Sequence, residues 1–397
     1  MVITMERIYF DNSATTPLCD AARAAMTDAL DCFGNPSSLH TLGVEAESRV
    51  SAARSQIFAA LGDKPANRID AGRLIFTASG TEADNLALIG SASAKNFAPG
   101  KKILVSDSEH PAVLEPAAEL ERRGFRVVRV PTVGGVPDYD YIAAEADRDT
   151  ILASFMLVNN ETGAVYDIRR ISSIVKAANP NALIHTDCVQ GFLKVPFTVK
   201  SLGADMITLS AHKIGGPKGV GALWTAPGIL RGKKLSPVIF GGGQEGGLRS
   251  GTENTLGIIG FGAAAAAGSS ALGETVARLK AIRERLISAL TTDERFVGVK
   301  LNLPPDAAPH ILSVTLPSIK SEVMLHSLSE SGIFVSSGSA CSSNTHHGSY
   351  VLRAFGLSDR DADCTIRISL GDVNKQDDAE RFLEVFAESL KKLARIR

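Results

Sequence analysis

Between positions 44 and 61 apolar side chains recur every three or four residues, at 46, 50, 53, 57 and 61, and Gly62 follows. That period predicts one amphipathic helix with a glycine stop. Short apolar runs then alternate with helical stretches, at 74–76, 103–105, 127–130, 151–158, 183–186, 206–209 and 220–224. Such alternation predicts an α/β fold with a mainly parallel sheet of seven strands and helices on both faces. In sheets of this kind ligands gather where strands end and helices begin. After about 251 the pattern changes. An alanine-rich helical stretch runs through 267, a charged helix covers 274–290, strand-like segments follow at 311–316, 333–335 and 366–370, and a helix closes the chain at 377–393. This reads as a smaller α+β unit, so the expected division is 15–260 for the large unit and 1–14 with 261–397 for the small one.

Length and composition add limits. The 397 residues are 44% hydrophobic and 21% charged, typical of a globular protein with a large core. A formal charge of −1 leaves no global field for nucleic acid or an anionic membrane. The start of the chain lacks a basic-then-apolar leader and no run of 18 apolar residues is evident, so the cytoplasm is the expected compartment and no membrane partner is expected. Five cysteines, at 19, 32, 188, 341 and 364, are an odd number without a CxxC pair, which argues against a disulfide framework or a zinc ribbon. Four read as small, partly buried hydrophobes. Cys341 differs, because seven of the eight residues from 336 to 343 are Ser, Gly or Ala, too small and polar to pack a core. A thiol in such a loop, about 336–348, reads as a chemical tool, and otherwise as an incidental thiol in a linker.

The candidate chemistry lies at strand ends. One apolar run breaks into Ser210-Ala211-His212-Lys213, and another, 26 residues upstream of that lysine, ends in Asp187. A lysine for an aldehyde and a carboxylate for a ring nitrogen are what pyridoxal 5'-phosphate requires. The alternative is two ordinary strand ends. Ser79-Gly80-Thr81-Glu82 joins a strand to a helix and could offer backbone N–H groups and a hydroxyl to a phosphate, or could simply cap the helix. Ser210 and His212 could add donors. His110 ends a further strand, where an imidazole could stack on a flat ring. Gln190 could donate to a phenolic oxygen, and Asn160 closes the longest apolar run, where Asn and Gly also build turns.

With these segments the chain resembles the NifS/IscS-like cysteine desulfurases, the class V branch of the fold-type I pyridoxal phosphate enzymes. Nine motifs match in family order, among them Asp11-Asn12-Ser13-Ala14-Thr15-Thr16-Pro17, Ser79 to Asn85, Glu109-His110, Asn159-Asn160-Glu161, His185 to Gln190, Ser210 to Lys213, Gly241 to Thr252 and Ser336 to Ser343. The resemblance implies that Lys213 is the lysine joined to the cofactor, Asp187 the partner of its ring nitrogen, His110 the residue over the ring and Gln190 the partner of the phenolic oxygen. It also implies that Gly80, Thr81, Ser210 and His212 hold the phosphate, that Thr252 reaches the phosphate of a neighbouring subunit in a homodimer, and that Asn160 and Arg367 hold the substrate carboxylate.

The implied reaction takes L-cysteine to L-alanine, with sulfur passed to Cys341 as a persulfide and on to an iron-sulfur scaffold or another sulfur-acceptor protein. Lys213, Cys341 and His110 are then the catalytic residues, His110 as a base for the thiol; no metal is expected. Two departures bear on partner choice: His346 and His347 follow the cysteine loop where relatives commonly carry a Leu-Glu-Pro-like sequence, and Gln244 stands where histidine is frequent. The rival readings are a selenocysteine lyase or another class V enzyme on a small amino acid, and a scaffold that keeps the fold without catalysis.

Overall fold

A computed structural model describes residues 7–64, 73–94, 99–337 and 349–394. Cys341, His346 and His347 lie outside the described residues, as does most of the loop expected at 336–348. The larger sheet has seven strands in the spatial order Leu74–Thr77, Gly221–Thr225, Met206–Ser210, Leu183–Asp187, Thr150–Ser154, Lys102–Ser106 and Arg126–Val130. Gly221–Thr225 runs antiparallel to both its neighbours, and the remaining pairs are parallel. Six of these strands, all but the edge strand Arg126–Val130, are buried at every position. That explains why they read as continuous apolar runs and not as alternating ones.

A second, four-stranded antiparallel sheet is built from Lys300–Asn302, Ile311–Thr315, Thr365–Ser369 and Ser336–Ser337. Its core includes Phe382 and Phe386 of the closing helix Gln376–Ala394, stacked 5.1 Å apart. Ile8 and Tyr9 pair in parallel with Ile333 and Phe334 as a separate two-stranded sheet, and Asp11 bridges to Ser369 of the four-stranded one.

Three expectations are corrected. The run expected as a strand over 151–158 is regular strand only to Ser154: Phe155 and Leu157 still donate to the carbonyls of His185 and Asp187, but the Met156 N–H goes to Glu109 Oε1 instead of to the neighbouring strand Lys102–Ser106. The alanine-rich and charged stretches are one helix, Thr255–Thr292, since no proline interrupts it and its internal glycines keep helical backbone. The first half of that helix is packed into the core of the large sheet through Ile258, Phe261, Ala264 and Ala265; the second half joins the other core through Leu279, Ile282 and Leu286. The same helix has a mean hydropathy of 1.5 over an 18-residue window, enough by length and composition to cross a bilayer, contrary to expectation. Of that window 39% is buried, with Ile258, Phe261, Ala264 and Ala265 in the core of the large sheet.

Candidate active site

A cavity of about 380 Å3 opens at the C-terminal ends of the parallel strands. Its first wall comes from the strand Leu183–Asp187, which stops because Asp187 Oδ1 accepts the Val189 N–H at 2.8 Å and turns the chain. Burial raises the Asp187 carboxyl to about 6, while Val189 N–H and the Lys213 ammonium work against that rise. Asp84, fully buried on the neighbouring helix Gly80–Ala92, is pushed well above the ordinary range by burial and by Asp187. Asp187 is therefore the acid of the pair that ionises first, since a buried carboxyl without a cation beside it keeps its proton.

The second wall is the strand Met206–Ser210 and the 3-10 turn Ala211–Lys213 that follows. Gly215 closes the turn at φ +80, a left-handed backbone that glycine adopts without steric cost. Lys213 Nζ donates to the carbonyls of Ser13 at 2.6 Å and Ala14 at 2.8 Å. Gln190 Nε2 donates to the same Ser13 carbonyl at 2.9 Å, leaving its buried Oε1 without a partner among the described residues. His212 places Nδ1 3.1 Å from Thr15 Oγ1; burial first and then Lys213, Lys218 and Lys194 bring its pKa down to about 4.

At the N-terminus of Gly80–Ala92, Ser79 Oγ accepts from Glu82 N at 3.1 Å. Gly80 and Thr81 stand in the first turn, where backbone N–H groups have no intrahelical acceptor. A Cβ at Gly80 would lie 2.9 Å from Val189 Cγ2, so the approach of helix to turn requires glycine there. Across the cavity His110 caps the helix Pro111–Arg122, its Nδ1 accepting Ala112 N–H at 3.1 Å. Burial and then Lys213 lower its pKa to about 4. In this arrangement the ring is neutral at pH 7, carries its proton on Nε2 and is a donor into the cavity more readily than a base.

The far end belongs to the smaller sheet. Arg367, on Thr365–Ser369, donates from Nη1 to the Asn160 carbonyl at 2.9 Å and from Nη2 to Asp11 Oδ1 at 2.8 Å; its buried Nε has no partner among the described residues. Ten of the residues singled out in the sequence thus share one cavity: Gly80, Thr81, His110, Asn160, Asp187, Gln190, Ser210, His212, Lys213 and Arg367. Thr252 does not join them and is exposed outside the cavity.

Sequence reasoning assigned no role to several residues the cavity uses. Glu161 lies on the wall beside Asn160, its Oε2 accepting from Ser349 Oγ at 2.6 Å, and burial raises it to about 7. Glu109 is buried behind His110, its Oε1 held by Ser106 Oγ at 2.6 Å and Met156 N at 2.8 Å, and burial raises it to about 8. The available signal was an acid set against an apolar run, as in Val158-Asn159-Asn160-Glu161. The carbonyls of Ser13 and Ala14 carried no side-chain signal at all.

The residues present fit pyridoxal phosphate. A buried carboxylate that ionises near neutrality, a helix start cleared of side chain by Gly80, an orphaned buried amide oxygen on Gln190 and an amine at hydrogen-bonding distance from the wall supply ring, phosphate and aldehyde partners in one cavity.

The chain matches the model of the family described as Aminotransferase class-V over residues 8–382. It is 38% identical to cysteine desulfurase IscS 1 of Archaeoglobus fulgidus over 97% of each chain, and 38% identical to cysteine desulfurase IscS of Dictyoglomus turgidum over 98% of this chain and 96% of that one. Among solved structures, a NifS-like protein superposes with a TM-score of 0.88 at 34% identity over 98% of this chain and 100% of the other. A NifS-like protein from Rickettsia africae gives 0.84 at 31% identity, over 97% and 100%. The chain belongs to the class-V aminotransferase family, within its branch of NifS/IscS-like cysteine desulfurases.

Proposed function

We propose that this cavity is where a pyridoxal-phosphate-dependent cysteine desulfurase takes sulfur from L-cysteine and leaves L-alanine. The observation that carries the reading is the meeting of Lys213, Asp187 and Arg367 on a single cavity, the acid carried by the larger sheet and the guanidinium by the smaller one. Bound pyridoxal phosphate supplies an aldehyde that takes up amines and a ring that accepts an electron pair. Asp187 would hold a positive charge at the ring nitrogen, Gln190 and His110 would contact the ring, and Gly80, Thr81, Ser210 and His212 would bind the phosphate. Arg367 would grip the substrate carboxylate with its planar fork, with Asn160 on the same group. The Lys213 amine would then take the proton from the substrate Cα.

Cys341 is assigned as sulfur acceptor. Its thiolate sulfur forms an S–S bond with the substrate sulfur as the C–S bond breaks, and the substrate carbon takes a proton. The sum is L-cysteine plus the Cys341 thiol giving L-alanine plus the Cys341 persulfide, with no external oxidant. The sulfur passes on to an acceptor protein such as an iron-sulfur scaffold, in the cytoplasm. The exposed position of Thr252, with exposed Phe33, Leu39 and Phe240, supports a homodimer in which Thr252 serves the partner's phosphate site. Residues 15–260 form the cofactor-binding unit and 1–14 with 261–397 the smaller one, although the boundary at 260 falls within the helix Thr255–Thr292.

The test is alanine release from L-cysteine with a thiol reductant, for the native protein and for Cys341→Ala. Alanine from the native protein and almost none from the variant is expected. Equal release from both would remove Cys341 as acceptor and favour a selenocysteine lyase; release from neither would remove L-cysteine as substrate.

A further inference from the structure

Lys213 stands between two cavities. Behind it, away from the substrate side, lies a second space of about 70 Å3 whose lining includes Lys194, Leu193, Cys19, Leu279 and Asp372. Lys194 is buried at 6% exposure, and its Nζ makes no hydrogen bond among the described residues. The backbone aims it there: the turn after Gln190 closes with Lys194 N on the Gly191 carbonyl at 3.1 Å, and Leu193 takes a left-handed φ of 57 to achieve it. Such a conformation is costly for a leucine and persists only where the surroundings impose it. An inward ammonium without an acceptor is costly as well, so packing alone does not account for a lysine at this position.

The charged groups facing Lys194 come from three further elements. Lys213 belongs to the turn after Met206–Ser210, Arg367 to Thr365–Ser369, and Asp372 to the turn beyond that strand. His310, fully buried with both ring nitrogens unpartnered among the described residues, faces Lys194, Arg367 and Arg283 of the long helix. Cations therefore outnumber the one acid, Asp372.

We propose that Lys194 is a positioning residue for Lys213: the two amines, set on one small cavity, share a positive charge, and Lys194 thereby holds the Lys213 nitrogen toward its proton-accepting form. Burial, then Lys213 and Arg367, bring Lys194 down to about 7 against the pull of Asp372, which places its titration near neutrality. The physical logic is that a cation facing a buried amine disfavours a second charge on it. The inference rests on the cofactor reading above.

The experiment is a pH titration of the visible absorbance of the protein loaded with pyridoxal phosphate, which follows protonation of the nitrogen joining Lys213 to the cofactor. Lys194→Met, nearly isosteric and neutral, is expected to raise the apparent pKa by on the order of one pH unit, a tenfold change in proton affinity. Lys194→Arg, whose charge is fixed, should titrate at or below the native value. In turnover, kcat should fall for Lys194→Met and recover for Lys194→Arg, with KM for L-cysteine unmoved. A Lys194→Met titration within about 0.3 pH units of native would overturn the proposal, since a neighbouring charge must move it further. Lys194→Gln stands in if the methionine variant does not fold, and failure of both neutral variants to fold would assign Lys194 to stability alone. If the native protein develops no visible band with pyridoxal phosphate, the cofactor reading falls and this inference with it; a native band with unshifted variants overturns the inference alone.

Discussion

Replacing Glu161 with glutamine tests the electrostatics of the cavity wall directly. Burial raises this carboxyl from 4.5 to about 7, even though Ser349 Oγ and the Arg367 charge both favour the ionised form. The folded protein therefore holds the proton more tightly than the unfolded chain does. The stability from that proton is fully present below about 4.5 and is lost as pH rises through about 7. At about 1.4 kcal/mol per pH unit the whole effect is about 3 kcal/mol, of which about 2.5 kcal/mol falls between pH 5 and pH 8. Glu161→Gln keeps the shape and cannot ionise, so its advantage over the native protein should grow by that amount across the interval. For a chain of this length the change corresponds to about 3 °C in Tm. The assay is thermal unfolding of both proteins at pH 5 and pH 8. Taking the difference between them cancels Glu109 and Asp187, which titrate in the same range. A Tm difference equal at the two pH values would refute the reasoning. Ser349→Ala offers a second check: it removes the hydrogen bond that lowers Glu161 and also the cap on Leu352 N, so it should cost about 1 kcal/mol at pH 5 and more at pH 8.

Arg367→Lys keeps the charge but loses the fork that spans Asn160 O and Asp11 Oδ1, so KM for L-cysteine should rise about 10- to 100-fold in steady-state kinetics, as expected for a lost charge-assisted bond. Asp187→Asn can still accept the Val189 N–H, so the fold and its Tm should hold while turnover falls on the order of 100-fold, measured as alanine release at saturating pyridoxal phosphate. Gly80→Ala drives a methyl to 2.9 Å from Val189 Cγ2 and should lower stability by about 1 to 3 kcal/mol and weaken cofactor affinity, read by equilibrium titration of the apoprotein.

The larger sheet was legible because its strands are buried on both faces and so appear as unbroken apolar runs ending in chemistry-bearing residues. Lys213, Asp187 and His110 could be found for that reason: Asp187 is the polar residue at which such a run stops, and Lys213 and His110 follow the strand ends Ser210 and Ser106 by three and four residues. The run from 151 was read too long because residues 155–158 remain fully buried after pairing is lost on one side, and burial, not pairing, is what an apolar sequence reports. The long helix was divided at its change from alanine-rich to charged because composition marks the passage from one core to another, whereas backbone continuity leaves no such mark. Glu161 and Lys194 were invisible as functional groups for a related reason. Their significance lies in lacking water, which depends on elements more than 100 residues away, such as Ser349 and Asp372.

Arg367 belongs to the smaller sheet and Asp187 and Lys213 to the larger sheet and the turn beyond it, so their separation must be set by something that touches both. The segment from Ile8 to Ala14 does this. It pairs Ile8 with Ile333 in a two-stranded sheet of its own and is tied to the smaller sheet by the bridge from Asp11 to Ser369 and by Asn12 Nδ2, which donates to the Ser369 carbonyl at 3.0 Å. From that fixed line Asp11 Oδ1 holds Arg367, while two residues on the Ser13 carbonyl receives both Lys213 Nζ and Gln190 Nε2. One short segment, whose Asp11–Ala14 turn is closed by the Ala14 N–H on the Asp11 carbonyl at 3.0 Å, therefore orients the guanidinium and the amine from positions two residues apart. Catalysis depends on holding such groups to within about 0.5 Å, and a rigid backbone anchored by pairing achieves this better than two separately mobile side chains. The motif Asp11-Asn12-Ser13-Ala14 carries no reactive group of its own, yet its main chain is the ruler against which the site is built.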